Sequence, residues 1–310
     1  MALNSDTRGY QGRGRFILRP IGGGRPFELG NVTSFTESIE IDRQSRQDFT
    51  TAAGGELDVT ERVSAFTFEA TANDITPENI AAGFLANVDK LGAQSVTDEE
   101  LQSWYGTRVG FRYLPDPDQS VSVTIADDTT WTATTEVAEG AVLIDSTEAY
   151  LATTGGTTDA TEPTWPTGYG TVTDGTVVWT HVGKAALVAS EDYDRTPHGI
   201  RIQDSPANIQ YPEADTMLPL KVTYERNPQY LIQALAASQE VFELRWEGLN
   251  AVDGGNPLHA TYFRVKLSPT SGFQRHGGED FAELTLSGTV LADETRTGQG
   301  LSKFVEMAMI

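Results

Sequence analysis

Few side chains in this chain are spaced for chemistry. Paired acids occur at Asp116 and Asp118, at Asp127-Asp128, and at Asp192 and Asp194. A catalytic carboxylate pair needs one member in an apolar pocket that raises its pKa. These pairs lie beside Thr, Ser and Pro in loop-like sequence and read as solvated turns. The four histidines, His181, His198, His259 and His276, show no HExxH or similar ligand spacing. Cysteine is absent, which removes disulfides, thiolate metal sites and thiol nucleophiles. Composition leaves a Ser-His-Asp triad open, but no Gly-x-Ser-x-Gly elbow and no EF-hand spacing occurs. Gly22-Gly23-Gly24 lacks the Gly-Lys-Ser/Thr ending of a phosphate loop and reads as a turn or flexible arm. The expectation is a protein that is not an enzyme, with no metal and no cofactor.

The bulk properties fit a structural role. The chain has 310 residues, a formal net charge of −22 and 38% hydrophobic residues, enough for two domains or one domain carrying an insertion. No stretch approaches the ~20 apolar residues of a membrane span. The start, Met1–Asp6, has no apolar signal core, so Sec export is not expected. Residues 1–27 hold Arg8, Arg13, Arg15, Arg19 and Arg25 against Asp6 alone, a local balance of +4 that leaves −26 on the rest. Such an acidic body repels nucleic acid at long range. Either this is simple solubility, or acidic walls let DNA slide without sticking.

The elements follow from hydrophobic periodicity. Arg15–Arg19 reads as a short strand. In 32–42, Phe35, Ile39 and Ile41 share one face opposite Glu40 and Asp42; in 62–71, Phe66, Phe68 and Ala70 oppose Thr67, Glu69 and Thr71. The stretch between them, Arg43 to Glu61, is a long loop, and such loops are functional or disordered. Thr76, Pro77 and Glu78 suit an N-cap, a first helical position and the positive end of the helix dipole, with Ile80, Phe84 and Val88 on the docking face. Short helices are also expected over Thr97–Tyr105 and from Asn227-Pro228 through Leu231, Ile232 and Leu235. Alternating strands follow at 241–249, at 261–267 with Phe263, Val265 and Leu267 inward, and at 282–290. The apolar end, Leu301–Ile310, is expected to pack on the body or on a neighbour.

Between about 121 and 185 the composition shifts to Thr, Gly and Val, with Lys184 the one basic residue. The predicted fold class is mainly β: an antiparallel β-sandwich or barrel with a few short helices, residues 1–120 and 186–310, interrupted by a small inserted all-β domain (Ig-like or similar), residues 121–185.

The segment Asp74-Ile75-Thr76-Pro77-Glu78-Asn79-Ile80, directly after the strand Ser64–Thr71, resembles the helix start of the major tail tube proteins of long-tailed bacteriophages. The resemblance covers roughly residues 15–118 and 190–306. A weaker match is Gly278-Glu279-Asp280-Phe281-Ala282-Glu283-Leu284. It implies hexameric rings whose sheets join across subunits, stacked into a tube that conducts phage DNA without sequence-specific binding. The implied partners are further copies of the chain, a tape measure protein, and tail terminator and distal tail proteins. The implied location is the virion tail, assembled in the host cytoplasm, with no membrane contact.

Within that reading, Glu40, Asp42 and Glu69 are lumen candidates because they lie opposite apolar faces. The family's long loop reaches the adjacent ring, which nominates Arg43, Arg46, Asp48 and Phe49. The basic N-terminal arm nominates Arg8, Arg13 and Arg15 for contacts with the acidic body of the next ring. The insert, with Trp131, Trp165, Glu162-Pro163-Thr164-Trp165-Pro166 and Asp174–Trp179, resembles a small β module that recurs in phage tail and fibre proteins. Trp131, Trp165 and Trp179 either fill the core of that module or lie exposed and stack weakly on host-surface glycans. An outward domain of about 60 residues leaves no room for a contractile sheath, so a non-contractile, siphovirus-type tail is expected. The rival classes are a capsid decoration or secretion-tube subunit, and a glycan-binding or glycan-cleaving β protein.

Overall fold

The computed structural model describes residues 9–50, 54–238, 240–252, 254–270, 272–273, 275–276 and 281–309. Arg8 and the Gly278–Asp280 part of the weaker family match lie outside the described residues. The structure is mainly β, with antiparallel sheets and one helix among the described residues. It divides into two compact units: residues 1–89 with 230–310, and residues 90–229.

The first unit opens with β1 (Gly12–Pro20), β2 (Phe27–Glu28), β3 (Val32–Gln47) and β4 (Glu56–Ala72), then α1 (Pro77–Phe84) and β5 (Asn87–Leu91). The α1 start is as the sequence predicts: the Thr76 hydroxyl accepts from the Asn79 N–H at 3.1 Å, and Pro77 opens the helix. The docking face is only partly the one expected. Phe84 packs partly buried against the core and Asn79, Ala82 and Gly83 are buried, while Val88 is exposed on β5. The Asn79 amide donates to the carbonyls of Leu29 (3.0 Å) and Asp74 (2.9 Å). A Cβ on Gly83 would stand 3.1 Å from Leu286 and 3.2 Å from Leu284, so small residues let the helix approach the sheet closely.

The second unit holds β6 (Gln94–Ser103), β7 (Arg108–Gly110), β8 (Val121–Ile125), β9 (Glu136–Val137), β10 (Val142–Asp145), β11 (Glu148–Thr154), β12 (Gly156–Thr157), β13 (Thr171–Asp174), β14 (Val177–Lys184), β15 (Ala186–Leu187), β16 (Tyr193–Thr196), β17 (Gly199–Ile202) and β18 (Leu218–Arg226). The helix expected over Thr97–Tyr105 is β6, which pairs with β18 from Leu218↔Ser103 to Arg226↔Gln94. Glu99, placed by the sequence reading in a first helical turn, instead accepts from the Tyr224 hydroxyl at 2.7 Å and from the Arg112 N–H at 2.8 Å. Compact units divide at residues 89/90 and 229/230, where the sequence reading set boundaries near 120 and 186. The reason is pairing: β8 lies between β15 and β18. One core also joins Val142, Ala149, Leu151 and Val182 to Val123, Leu220 and Ile200.

The chain returns through β19 (Gln229–Gln233), which pairs with β5. The helix expected after Asn227-Pro228 is therefore a strand. Then come β20 (Val241–Asn250), β21 (Asn256–Ser268), β22 (Leu284–Val290) and β23 (Val305–Met309). Eight strands form one sheet in the order β2-β1-β20-β21-β22-β4-β3, with β23 also on β21. Its inner face buries Phe16, Leu18, Phe66, Phe68, Leu244, Tyr262, Val265, Leu284 and Leu286. A register shift between Phe242↔Val265 and Leu244↔Tyr262 marks a bulge in β21. It turns Tyr262 inward and leaves Phe263 under the Arg296 guanidinium at 3.7 Å, reversing the expected facing of Phe263.

Candidate assembly surface

The β3–β4 hairpin is far longer than the sequence suggests. Pairing runs from Val32↔Ala72 to Arg46↔Asp58 and Gln47↔Glu56, so residues 43–47 and 56–61 of the expected loop Arg43–Glu61 lie in the paired strands. Asp48 shapes the tip: its N–H donates to the Gly55 carbonyl, and its carboxylate accepts from the Thr50 N–H and hydroxyl. Arg43 and Arg46 are strand residues held by cross-strand acids. Arg43 meets Glu56 at 2.6 Å and Glu61 at 3.6 Å, Arg46 meets Asp58 at 2.8 Å, and Arg62 meets Asp42 at 2.7 Å. Phe49 stands at the tip, 92% exposed.

Beyond Phe66 the hairpin leaves the core as a two-stranded ribbon. β22 pairs with β4 only over Thr67–Ala72, and β3 is the terminal strand of its sheet, so among the described residues both ribbon edges are unpaired. Ile39 and Ile41, expected in the core, are 56% and 58% exposed; Val59 and Val63 are 44% and 52% exposed. Cross-strand register places these four on one face, around the Arg43–Glu61 ion pair: Ile39 is opposite Phe66, Ile41 opposite Val63, Arg43 opposite Glu61, and Ser45 opposite Val59. An exposed, apolar, unpaired ribbon is a template for association.

The opposite face is polar. Thr36 lies opposite Glu69, Ser38 opposite Thr67, and Glu40 and Asp42 continue the same row. The three lumen candidates thus share one face of the ribbon and its sheet, although Asp42 is neutralised by Arg62. Thr285 and Ser287 extend this face across β22, opposite Thr71 and Glu69. Arg13 and Arg15 lie on β1, opposite Leu249 and Glu247, and Arg15 stands 3.5 Å from Glu28. Both are strand residues of the sheet: Arg15 opens the short strand expected from the sequence, which extends back through Arg13 to Gly12.

A cleft of about 1280 Å³ lies between Tyr10–Phe16 and Asn31–Glu37, floored by Trp246, Leu258 and Tyr262 and flanked by Met307 and Met309. The Phe16 and Phe35 rings stack across it at 4.6 Å. Burial raises the Glu37 carboxyl pKa; Tyr10 is raised by burial and then by the Glu37 charge.

The tryptophans of the Thr-rich segment belong to a small core with Val137, Leu143, Tyr150 and Val177. Trp179 is fully buried, as the core-filling reading has it and not the exposed one; Trp131 and Trp165 are partly buried against it. The buried Asp174 carboxylate organises them, accepting from the Asp159 N–H (2.7 Å), Trp131 Nε1 (2.9 Å) and Trp179 Nε1 (3.4 Å). Trp165 covers Tyr150 at 4.6 Å and donates to Glu162. Of the acids expected in solvated turns, Asp192 is fully buried and accepts from Val188 N, Asn208 N and Asn208 Nδ2. Among the described residues no group of three or more His, Asp or Glu side chains could hold a metal ion.

Sequence reasoning missed the β4 half of the exposed ribbon row, Val59 and Val63. Its signal is present in Leu57-Asp58-Val59-Thr60-Glu61-Arg62-Val63, which alternates with period two. It missed the Asp174 hub, whose only local mark is the Asp-Gly turn. No curated protein matches the chain. A family model described as "Protein of unknown function UCP028589" matches residues 9–164 and 164–308. The chain therefore belongs to the UCP028589 family.

Proposed function

We propose that the chain is a structural subunit that assembles with copies of itself into stacked rings, the tail tube of a non-contractile phage tail. The supporting observation is the β3–β4 ribbon, which exposes Ile39, Ile41, Val59, Val63 and Phe49 and leaves two sheet edges unpaired. Monomeric proteins blunt such edges with charge, bulges or a covering element. Here charge dominates one face, while the other exposes its aliphatic side chains around a single ion pair, Arg43 with Glu61. Closed assembly covers both edges. The polar row of Thr36, Ser38, Glu40, Thr67 and Glu69 then lines the bore, where hydroxyls and carboxylates give a DNA backbone nothing cationic to grip.

Negative-stain microscopy of the purified full chain tests the reading. Tubes of uniform bore are expected. Monodisperse monomers across a concentration series would reject it, and isolated closed rings would favour a decoration protein.

A further inference from the structure

We propose that the cleft between β1 and β3 is the acceptor for the apolar face of the β3–β4 ribbon of a second copy of this chain. The inference rests on the self-assembly reading and adds where the ribbon goes. The cleft lies between unpaired strand edges. β2 pairs with β1 at Ile17 and Leu18, and the Leu29 N–H donates to the Phe16 carbonyl, so among the described residues β1 from Gly12 to Arg15 has one edge without a strand partner, and β3 is the terminal strand on the other side. Its lining combines an apolar and aromatic set, Phe16, Phe35, Trp246, Tyr262, Met307 and Met309, with the charged Arg13 and Glu37. Met307 and Met309 are 60% and 75% exposed, and flexible thioether side chains adapt to an incoming surface.

The ribbon supplies the matching shape and chemistry. Its aliphatic row is one residue wide on each strand: Ile39 and Ile41 on β3, opposite Phe66 and Val63, with Val59 beyond the Arg43–Glu61 pair on β4. Its edges carry free backbone donors and acceptors that a cleft bounded by strand edges can pair. The ribbon cannot serve its own cleft. That cleft takes β3 residues only up to Glu37 and no β4 residue, and from there β3 runs on in continuous pairing to Gln47. At ~3.3 Å per residue this carries the tip about 33 Å beyond the cleft. A row that leaves its own subunit, and a cleft of the same character within it, fit head-to-tail propagation, in which each copy donates one ribbon and accepts another.

The absence of cysteine makes the test direct. Single variants Ile39→Cys, Ile41→Cys and Val63→Cys are each mixed with Met307→Cys or Met309→Cys and oxidised mildly. Gln44→Cys, on the polar face, is the control donor. The expected result is cross-linked dimer from at least one apolar-face pair, severalfold above the Gln44→Cys pairs, with the junction confirmed by peptide mass. In parallel, Ile41→Asp with Val63→Asp in the full chain should keep the wild-type circular dichroism and lose assembly in sedimentation. If wild-type chain assembles while no apolar-face pair cross-links above the control, or while the double aspartate variant assembles equally well, the cleft is not the acceptor and the self-assembly reading stands. If wild-type chain stays monomeric, both fall.

Discussion

Replacing Asp174 by alanine should unfold the tryptophan cluster before the rest of the second unit. The carboxylate is almost fully buried and accepts three hydrogen bonds, two of them short: 2.7 Å from Asp159 N and 2.9 Å from Trp131 Nε1. Hydrogen bonds to a charged acceptor contribute ~1.5–3 kcal/mol each, and a buried donor left without a partner costs ~1–3 kcal/mol. The Trp179 indole N–H lies inside the cluster with Asp174 as its acceptor, so it has no route to water. Because the three bonds share one acceptor their contributions do not add, and the expected loss is about 3–5 kcal/mol. For a unit of this size that lowers the midpoint of its thermal transition by about 10–15 °C. Differential scanning calorimetry with tryptophan fluorescence as a second probe reads the effect. Asp174→Asn keeps one acceptor oxygen and should lose about half as much. A midpoint for Asp174→Ala within ~2 °C of wild type would refute the hub, and with it the claim that Trp131 and Trp179 are structural.

Other expectations follow from single contacts. Trp179→Ala should cost ~3–5 kcal/mol as a fully buried aromatic, while Trp165→Ala, with its ring partly exposed, should cost clearly less; urea midpoints of the two variants decide this. Gly175 has φ +63°, and a Cβ there would stand 2.2 Å from the Thr157 carbonyl oxygen, so Gly175→Ala should destabilise by about 2–4 kcal/mol by the same measurement. Burial pushes the Tyr211 hydroxyl up to about 12 despite its hydrogen bond with Ser103. Its native pKa lies above the unfolded value near 10, so this stability is intact below pH ~10 and is lost as pH rises toward ~12, up to about 3 kcal/mol. Urea unfolding at stepped alkaline pH should show that decline in wild type and less of it in Tyr211→Phe. The Lys221 ammonium lowers the pKa of Asp127 by its hydrogen bond, so the pair should lose its stabilisation as pH falls below the ordinary carboxylate range, and Lys221→Met should flatten that acid limb.

Legibility in the sequence tracked how many faces of an element are buried. β20 and β22 bury one face each, and their alternation maps onto the structure residue by residue. The α1 cap was legible because Thr76, Pro77 and Glu78 act through local geometry. Its buried face was legible only in part: Phe84 packs on the core as expected, but Asn79, Ala82 and Gly83 dock through an amide and through close approach, which hydrophobic periodicity does not register. β6 escaped because Asp98-Glu99-Glu100 imitates an acidic first helical turn, whereas Glu99 is fixed by Tyr224, 125 residues away. The β21 bulge reversed Phe263 and Tyr262, since one extra residue flips every later side chain. For Ile39 and Ile41, alternation correctly marked one apolar face, but among the described residues nothing covers it. That mismatch between pattern and burial is itself the mark of the candidate surface.

The central claim is that the polar face of β3, β4 and β22 lines a bore formed by copies of the chain. Helical reconstruction by cryo-electron microscopy of tubes grown from the purified full chain tests it most directly. The account predicts sixfold rings with Thr36, Glu69 and Ser287 facing the bore and the β3–β4 ribbon reaching into a neighbouring subunit. Tubes with that face turned outward, or a preparation that forms no tubes, would contradict it.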